Sequence, residues 1–386
     1  MTGSPREDGR DHVTEGRPDE IDACDRCLRR AFLVAHLAPR IAGLLDRPAP
    51  RVAGLLALPD DAFVAAATSG DSEDAWRFVE SLDLEAARAA LHAAGTLAVC
   101  RHAHDYPPPL RDLADPPAVL FAVGETGALR ALRDDVAVAV VGTRRASPYG
   151  TEVAYALGRG LGAAGVAVVS GLARGIDGTA HRGCLDGGGV PVAVLACGPD
   201  VVYPRRHRGL YERVRADGVV VSELPPGTRP FRWSFPARNR IMAALARLTV
   251  VVEAAEPSGS LITADFARDI GRGVAAVPGR VTSSFARGTN GLLKDGAVPV
   301  TGTEDVLDEL FGVGVRRAPP WREVPAGPAD PQLSAVLEAA ERFESVDAIA
   351  RGLGLTAAAA RAALGRLEAE GYLVRRDLGG WERAAS

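Results

Sequence analysis

Lysine is almost missing from this chain: of 386 residues one is lysine, Lys294, so arginine supplies nearly all of the positive charge. With 45 basic against 49 acidic residues the net charge is −4, which excludes a uniformly basic nucleic-acid binder; any polyanion site has to be local. No apolar run approaches about 18 residues, so no helical membrane span is expected. Met1 to Glu20 lack an apolar core and do not read as a secretory signal. Five cysteines, odd in number and scattered, fit a reducing cytoplasm rather than a disulfide framework. No G-x-x-x-x-G-K-[ST] occurs anywhere, and the loop after Val141 lacks the G-x-G-x-x-G spacing. No serine or cysteine nucleophile motif and no carboxylate cluster for magnesium stands out, so a non-catalytic protein without a cofactor is expected.

What is present centres on Asp135 to Gly189. A continuous apolar run, Val136 to Val141, breaks at Gly142-Thr143-Arg144-Arg145, and a helical segment starts near Pro148. A second run, Val166 to Val169, breaks at Ser170-Gly171-Leu172-Ala173-Arg174-Gly175-Ile176-Asp177. Unbroken β-branched runs bounded by glycine read as strands buried on both faces, and their alternation with helices means a parallel sheet. Ligands of such sheets sit beyond the carboxyl ends of the strands, where both loops lie. Glycine there admits close approach, a helix start offers free N–H groups, and arginine adds a planar phosphate fork. Tight strand–helix turns alone would also explain the glycines; two arginine-bearing loops at successive strand ends favour a phosphate ligand.

The remaining pattern gives an α/β protein with an extended Rossmann-type, doubly wound, mostly parallel sheet. A polar tail over 1–20 is expected to be disordered, and 21–95 reads as a helical domain broken at Pro39, Pro48 and Pro59. Residues 96–135 read as a proline-bearing connector with one short strand, and 136–312 as the Rossmann-type domain. Further strands are expected at Val190–Leu195, Val219–Ser222, Leu248–Val252, Val274–Val277 and Val298–Val300. After a linker over 313–330, residues 331–386 follow the helix, glycine turn, helix, hairpin layout of a winged-helix module. Arg361 and Arg366 against Glu368 and Glu370 make protein docking as good a reading of that module as groove recognition.

Two further segments add to the site. Arg205 to Arg240 holds nine arginines against three acids, and Phe231, Trp233 and Phe235 alternate with Arg232, Arg238 and Arg240. Guanidinium groups hold phosphates while rings stack bases, the usual mode of sequence-tolerant single-strand binding. Because the chain is only 5% aromatic, three rings in five residues weigh against mere core filling. In Pro257-Ser258-Gly259-Ser260-Leu261-Ile262-Thr263 small hydroxyl residues meet a helix start; helix capping alone would account for Ser260. The four loops are expected to converge on one crevice. His181, one turn after Asp177, suggests an acid–base pair, with His207 and Glu223 as other candidates; Asp177 reads better as a cap or loop brace. Cys24-x-x-Cys27 and Cys100-x-His102 could form a closed zinc site, but a lone CxxC with a partner over seventy residues away is weak, and no metal is assigned.

These motifs are similar to those of the DNA-processing protein DprA (Smf) family. The carriers are Val140-Val141-Gly142-Thr143-Arg144, Ser170-Gly171-Leu172-Ala173-Arg174-Gly175-Ile176-Asp177, Gly198-Pro199-Asp200, Arg238-Asn239-Arg240-Ile241, Ser258-Gly259-Ser260-Leu261-Ile262-Thr263 and Gly288-Thr289-Asn290. The resemblance spans the α/β core, and the flanking helical (SAM- or HhH-like) and winged pieces look like those of longer members. It implies a dimerising, non-enzymatic, cytoplasmic protein that binds single-stranded DNA, protects it during natural transformation and helps load RecA recombinase. By motif position the DNA would be held by Gly142, Thr143, Arg144, Ser170, Gly171, Arg174, Gly175, Arg238, Asn239, Arg240, Ser258, Gly259, Ser260 and Thr263. Ala237 stands where a basic residue is expected in many relatives, so Arg232 or Arg205 would have to supply some affinity. A nucleotide-processing enzyme using Glu253 as base, or a nucleotide sensor, are the competing readings.

Overall fold

The computed structural model describes residues 23–44, 52–125, 127, 137–315, 330–342, 345–369, 372–375 and 381–383. The expected tail over 1–20, the break at Pro48 and most of the linker lie outside them. The chain divides into two units, Met1–Pro319 and Pro320–Ser386.

The first unit is built on a nine-stranded sheet in the order β1-β2-β6-β5-β4-β3-β7-β8-β9. Strands β3 (Ala137–Val141), β4 (Ala167–Ser170), β5 (Pro191–Val194), β6 (Val219–Ser222), β7 (Leu248–Val251), β8 (Gly273–Ala276) and β9 (Val298–Pro299) run parallel. Alanine and valine dominate them, and β3, β5, β6 and β7 are buried throughout, as a sheet covered on both faces requires. The chain steps from β3 through β4 and β5 to β6, then returns to place β7 on the other side of β3. That reversal opens a crevice at the carboxyl ends of β3 and β7.

The stretch read as a connector with one strand supplies two. β1 (Leu97–Cys100) and β2 (Val119–Gly124) pair antiparallel with each other, and β2 pairs antiparallel with β6. The prolines lie between them, in the 3₁₀ turn Pro108–Asp112 and its flanks, where no ladder amide is needed. β1 has no signature in the sequence, because four residues, Leu-Ala-Val-Cys, are too few to show a period.

Five helices precede the sheet: α1 (Asp25–Leu44), α2 (Val52–Leu56), α3 (Asp60–Thr68), α4 (Glu73–Ser81) and α5 (Leu84–Ala93). The expected break at Pro39 does not occur; α1 runs through it. Leu37, Ala38 and Ile41 around the proline are fully buried, and this packing outweighs one missing helical bond. Pro59 does mark a boundary, directly before α3. One side of α1 (Leu33, Leu37, Ile41) packs on Phe63 and Val64 of α3 together with Leu224, Trp233 and Ala237 from the α/β part. Leu28 and Ala31 belong to the sheet's own core. Trp233 fastens this seam by donating its indole N–H to the Ala38 carbonyl at 3.0 Å.

Helices α6 (Pro148–Ala163), α7 (Ile176–Asp186), α8 (Arg208–Asp217), α9 (Ser234–Leu245), α10 (Gly259–Asp269), α11 (Arg287–Lys294) and α12 (Thr303–Phe311) cover the sheet. The second unit contains α13 (Pro331–Arg342), α14 (Val346–Leu353), α15 (Ala357–Ala369) and an antiparallel hairpin, β10 (Leu373–Arg375) with β11 (Trp381–Arg383). Leu337, Ile349, Leu364, Leu367 and Leu373 form its core. Ser345 caps α14 by accepting from the Ala348 amide at 3.3 Å, and Gly354 ends it in the left-handed region, φ 65°.

Candidate nucleic-acid interface

The loop after β3 is pinned from both sides. The Thr143 amide donates to the Glu253 carbonyl (2.8 Å), and the Thr143 carbonyl accepts from the Ile176 amide (3.3 Å). Gly175, at φ 75°, carries the neighbouring loop so close that a Cβ would overlap the Thr143 carbonyl. Asp177 acts as the brace expected of it: it is buried and accepts from the Gly171 amide at 3.1 Å. Burial pushes its carboxyl above the usual range, while Arg238 and the Gly171 and Gly142 amides pull it back.

Between these loops and α10 lies a crevice of about 360 Å³. It is lined by Gly142, Thr143, Arg144, Asp177, Phe235, Arg238, Asn239, Ser258, Gly259, Ser260 and Thr263, so all four loops contribute. A smaller cleft of about 60 Å³ adjoins it and adds Gly171, Arg174 and Tyr203 while sharing Arg144, Phe235 and Arg238. Arg144 is exposed and its guanidinium sits over the Phe235 ring, 4.7 Å from the centroid. Tyr203, also exposed, lies 5.7 Å from the same ring. A cation over an aromatic face, next to a second ring, offers one surface to phosphate and another to a base.

Arg238 plays a different part from Arg144. It is 5% exposed and forms the floor, donating through Nη1 to the Val194 carbonyl. Burial pushes its guanidinium down to about 10, against the attraction of Asp177, so it is charged at neutral pH. Gly171 lies directly against it; a Cβ there would overlap the guanidinium. Asn239 ties α9 to α10 by donating from Nδ2 to the Gly259 carbonyl (3.0 Å). At the start of α10, Ser258 Oγ accepts from the Ser260 amide (3.4 Å) and shares a hydrogen bond with Ser260 Oγ (2.8 Å). Thr263 Oγ1 is buried and makes no hydrogen bond among the described residues, although the side chain lines the crevice.

Several expected residues stand elsewhere. Arg240 is 1% exposed and outside the crevice. Its Nη2 lies 2.7 Å from Glu223 and its Nε 2.9 Å from Asp115, and it also donates to the carbonyls of Ala237 and Asp115. Burial alone would lower its guanidinium, but Glu223 and Asp115 outweigh that and raise it. It clamps the entry to β2 onto the end of β6, a role invisible in an Arg-Asn-Arg triplet whose alternate residues face opposite ways on a helix. Ser170 is fully buried, with its hydroxyl given to the Val140 carbonyl (2.6 Å), so it shapes the loop from beneath. Of the three rings, only Phe235 lines the crevice; Trp233 is core, and Phe231 stacks on Trp233 at 6.4 Å. Ala237 belongs to that same core, so a basic residue missing there takes nothing from the crevice.

The acid–base candidates are either buried or held by other groups. His181 is fully buried and burial lowers its imidazole to about 4. His207 Nδ1 lies 3.0 Å from the Leu172 carbonyl, and Glu223 is held by Arg240. The Glu253 carboxylate accepts from the Ser147 amide (2.9 Å) and hydroxyl (2.5 Å), with Ser147 itself capping α6. Among the described residues, one group of side chains suited to metal ligation occurs, Cys24, Cys27, Cys100 and His102, away from this crevice.

Residues 97–311 match the family model described as DNA recombination-mediator protein A. The putative DNA processing protein DprA of Mycobacterium tuberculosis is 45% identical over 278 residues, 69% of this chain and 68% of that protein. Protein Smf of Escherichia coli is 42% identical over 210 residues, 54% of this chain and 55% of its own length. In three dimensions the chain resembles DNA processing protein A of Streptococcus pneumoniae, with a TM-score of 0.59 and 32% identity over 74% of this chain and 96% of that one. On the match across most of the sheet, the crevice loops and their surroundings, the chain belongs to the DNA recombination-mediator protein A family of DprA and Smf proteins.

Proposed function

We propose that the chain binds single-stranded DNA in the crevice at the carboxyl ends of β3 and β7 and does no chemistry on it. The observation that carries this reading is the exposed Arg144 guanidinium stacked on Phe235 at the mouth of a crevice to which four separate loops contribute. Arg144 takes a phosphate and Phe235 a base, helped by Arg174 on the neighbouring loop. The α10 start (Ser258, Gly259, Ser260), Asn239 and the unpartnered Thr263 hydroxyl give polar contacts, and Arg238 supplies fixed positive charge from below. Gly142, Thr143, Gly171, Gly175 and Ser170 set the backbone shape. Flexible single strands fit such a recess, whereas a stiff duplex does not reach its floor.

In the cell, this activity protects single strands in the cytoplasm during natural transformation or recombination and hands them to RecA recombinase, with the protein acting as a homodimer. The second unit, three helices and a hairpin, serves as a winged-helix module. The competing enzymatic reading needs Glu253 as a base, but both carboxylate oxygens are already occupied by Ser147. Fluorescence anisotropy with a labelled single-stranded oligonucleotide, competed by the same sequence as duplex and by a mononucleotide, tests the proposal. Single strands are expected to compete best; equal competition by duplex, or better competition by mononucleotide, overturns it.

A further inference from the structure

Four soft ligands from two distant parts of the chain meet beside the sheet edge. Cys24 directly precedes α1, Cys27 stands in its first turn, Cys100 ends β1 and His102 lies in the turn that follows. Their ligand atoms all lie within 4.8 Å of one another. His102 Nδ1 is 3.5 Å from Cys24 Sγ and 3.4 Å from Cys27 Sγ. Tetrahedral zinc, with bonds of about 2.3 Å to sulfur and about 2.0 Å to nitrogen, sets neighbouring sulfur and nitrogen ligands roughly 3.5 Å apart. Both sulfur–nitrogen distances here are already those of a metal site.

The surroundings agree. The Cys24 amide donates to Cys100 Sγ at 3.5 Å, the kind of backbone contact that steadies a thiolate ligand. Cys27 and Cys100 are 1% and 2% exposed while Cys24 and His102 are at the surface, so the cluster is closed on its inner side and open to an arriving ion. The other two cysteines, Cys184 and Cys197, are buried and belong to no such group among the described residues. A disulfide would use two of the three thiols and leave the imidazole without a reason to point among them.

We infer that Cys24, Cys27, Cys100 and His102 form a structural zinc site that fastens the start of α1 to the β1 edge of the sheet. Three thiolates and one imidazole fill all four tetrahedral positions, leaving none for water or substrate, so the site has no catalytic part. Zinc closes the long segment between the two ligand pairs, which includes the helices that pack against α1. Further along α1, the Ala38 carbonyl holds Trp233, two residues before Phe235, so the same helix that the metal anchors supports the crevice wall.

The test is metal analysis of the full-length protein purified under reducing conditions without chelator. About one zinc per chain is expected in the unaltered protein and in His102→Cys, which keeps four ligands, and well under one zinc per chain in Cys24→Ser, an exposed position whose change does not threaten the core. Cobalt(II) offered to the reduced, metal-free protein is expected to give the visible bands of a tetrahedral thiolate complex, weaker in Cys24→Ser. The inference is overturned by an unaltered protein that carries no zinc and gives no cobalt bands. It is equally overturned by zinc retained at full occupancy in both Cys24→Ser and His102→Ala, or by a disulfide among Cys24, Cys27 and Cys100 in the reduced preparation.

Discussion

Replacing Arg240 by methionine separates a structural arginine from a DNA-binding one. Arg240 is the largest fully buried side chain among the described residues, and it neutralises two carboxylates that are nearly as enclosed, Asp115 at 5% and Glu223 at 12% side-chain exposure. Arg240→Met fills similar space but leaves both acids without a counter-charge. Removing one side of a buried ion pair costs about 3–5 kcal/mol, a large fraction of the roughly 5–15 kcal/mol that holds a domain together. Urea unfolding should therefore show a much lower midpoint with a similar denaturant slope. Adding Asp115→Asn and Glu223→Gln to the variant removes the stranded charges and is expected to restore a good part of the loss. Where the variant stays folded, the salt dependence of single-strand binding should match the unaltered protein. Stability within about 0.5 kcal/mol of the original, with a salt slope shallower by roughly 0.7, would refute the structural role and make Arg240 a phosphate contact.

Three other outcomes follow from the same geometry. Gly171→Ala drives a methyl group into the Arg238 guanidinium and is expected to cost about 1–3 kcal/mol in thermal or urea unfolding and to weaken oligonucleotide binding; an unchanged protein would mean the floor is soft. Burial lowers His181 from 6.5 to about 4, so the folded state keeps the ring neutral. Its stabilising neutrality is fully effective above pH 6.5 and is lost as the pH falls toward 4, by about 3 kcal/mol in order of magnitude. His181→Leu should flatten the stability–pH curve in that window, and an unaltered curve would contradict the assignment. Phe235→Ala removes the ring beneath Arg144 and is expected to weaken single-strand binding by about 1–3 kcal/mol, read by anisotropy, with little change in unfolding.

Much of this was legible in the residues themselves. Parallel strands announce themselves because burial on both faces leaves runs such as Val138 to Val141 with no polar interruption, and β3, β6 and β7 lie within a residue or so of where those runs put them. The convergence of Gly142, Arg144, Phe235 and Ser258 follows from the rule that doubly wound sheets place their loops together at the strand ends. Helix phase was the part that could not be read. Trp233, Ala237 and Arg240 face the core while Phe235, Arg238 and Asn239 line the crevice, and which face of α9 was buried depended on α1, almost two hundred residues away. Pro39 does not break α1 for a related reason, since propensity describes an isolated helix and α1 is packed along its length, its start in one core cluster and its end in another. Burial of Arg240 would have been suggested by a search for its acids, but Asp115 and Glu223 become its neighbours only when β2 joins β6 antiparallel.

Arg144, on its Phe235 platform, is proposed as a phosphate contact in a single-strand groove. The measurement that bears on it most directly is the affinity for a single-stranded oligonucleotide over a series of salt concentrations, compared between the unaltered protein and Arg144→Ala. Losing one phosphate contact is expected to weaken binding and to reduce the slope of log affinity against log salt by about 0.7, with unfolding unchanged because the side chain is exposed. An Arg144→Ala protein that binds with the same affinity and the same slope would mean that Arg144 touches no phosphate and that the strand lies elsewhere.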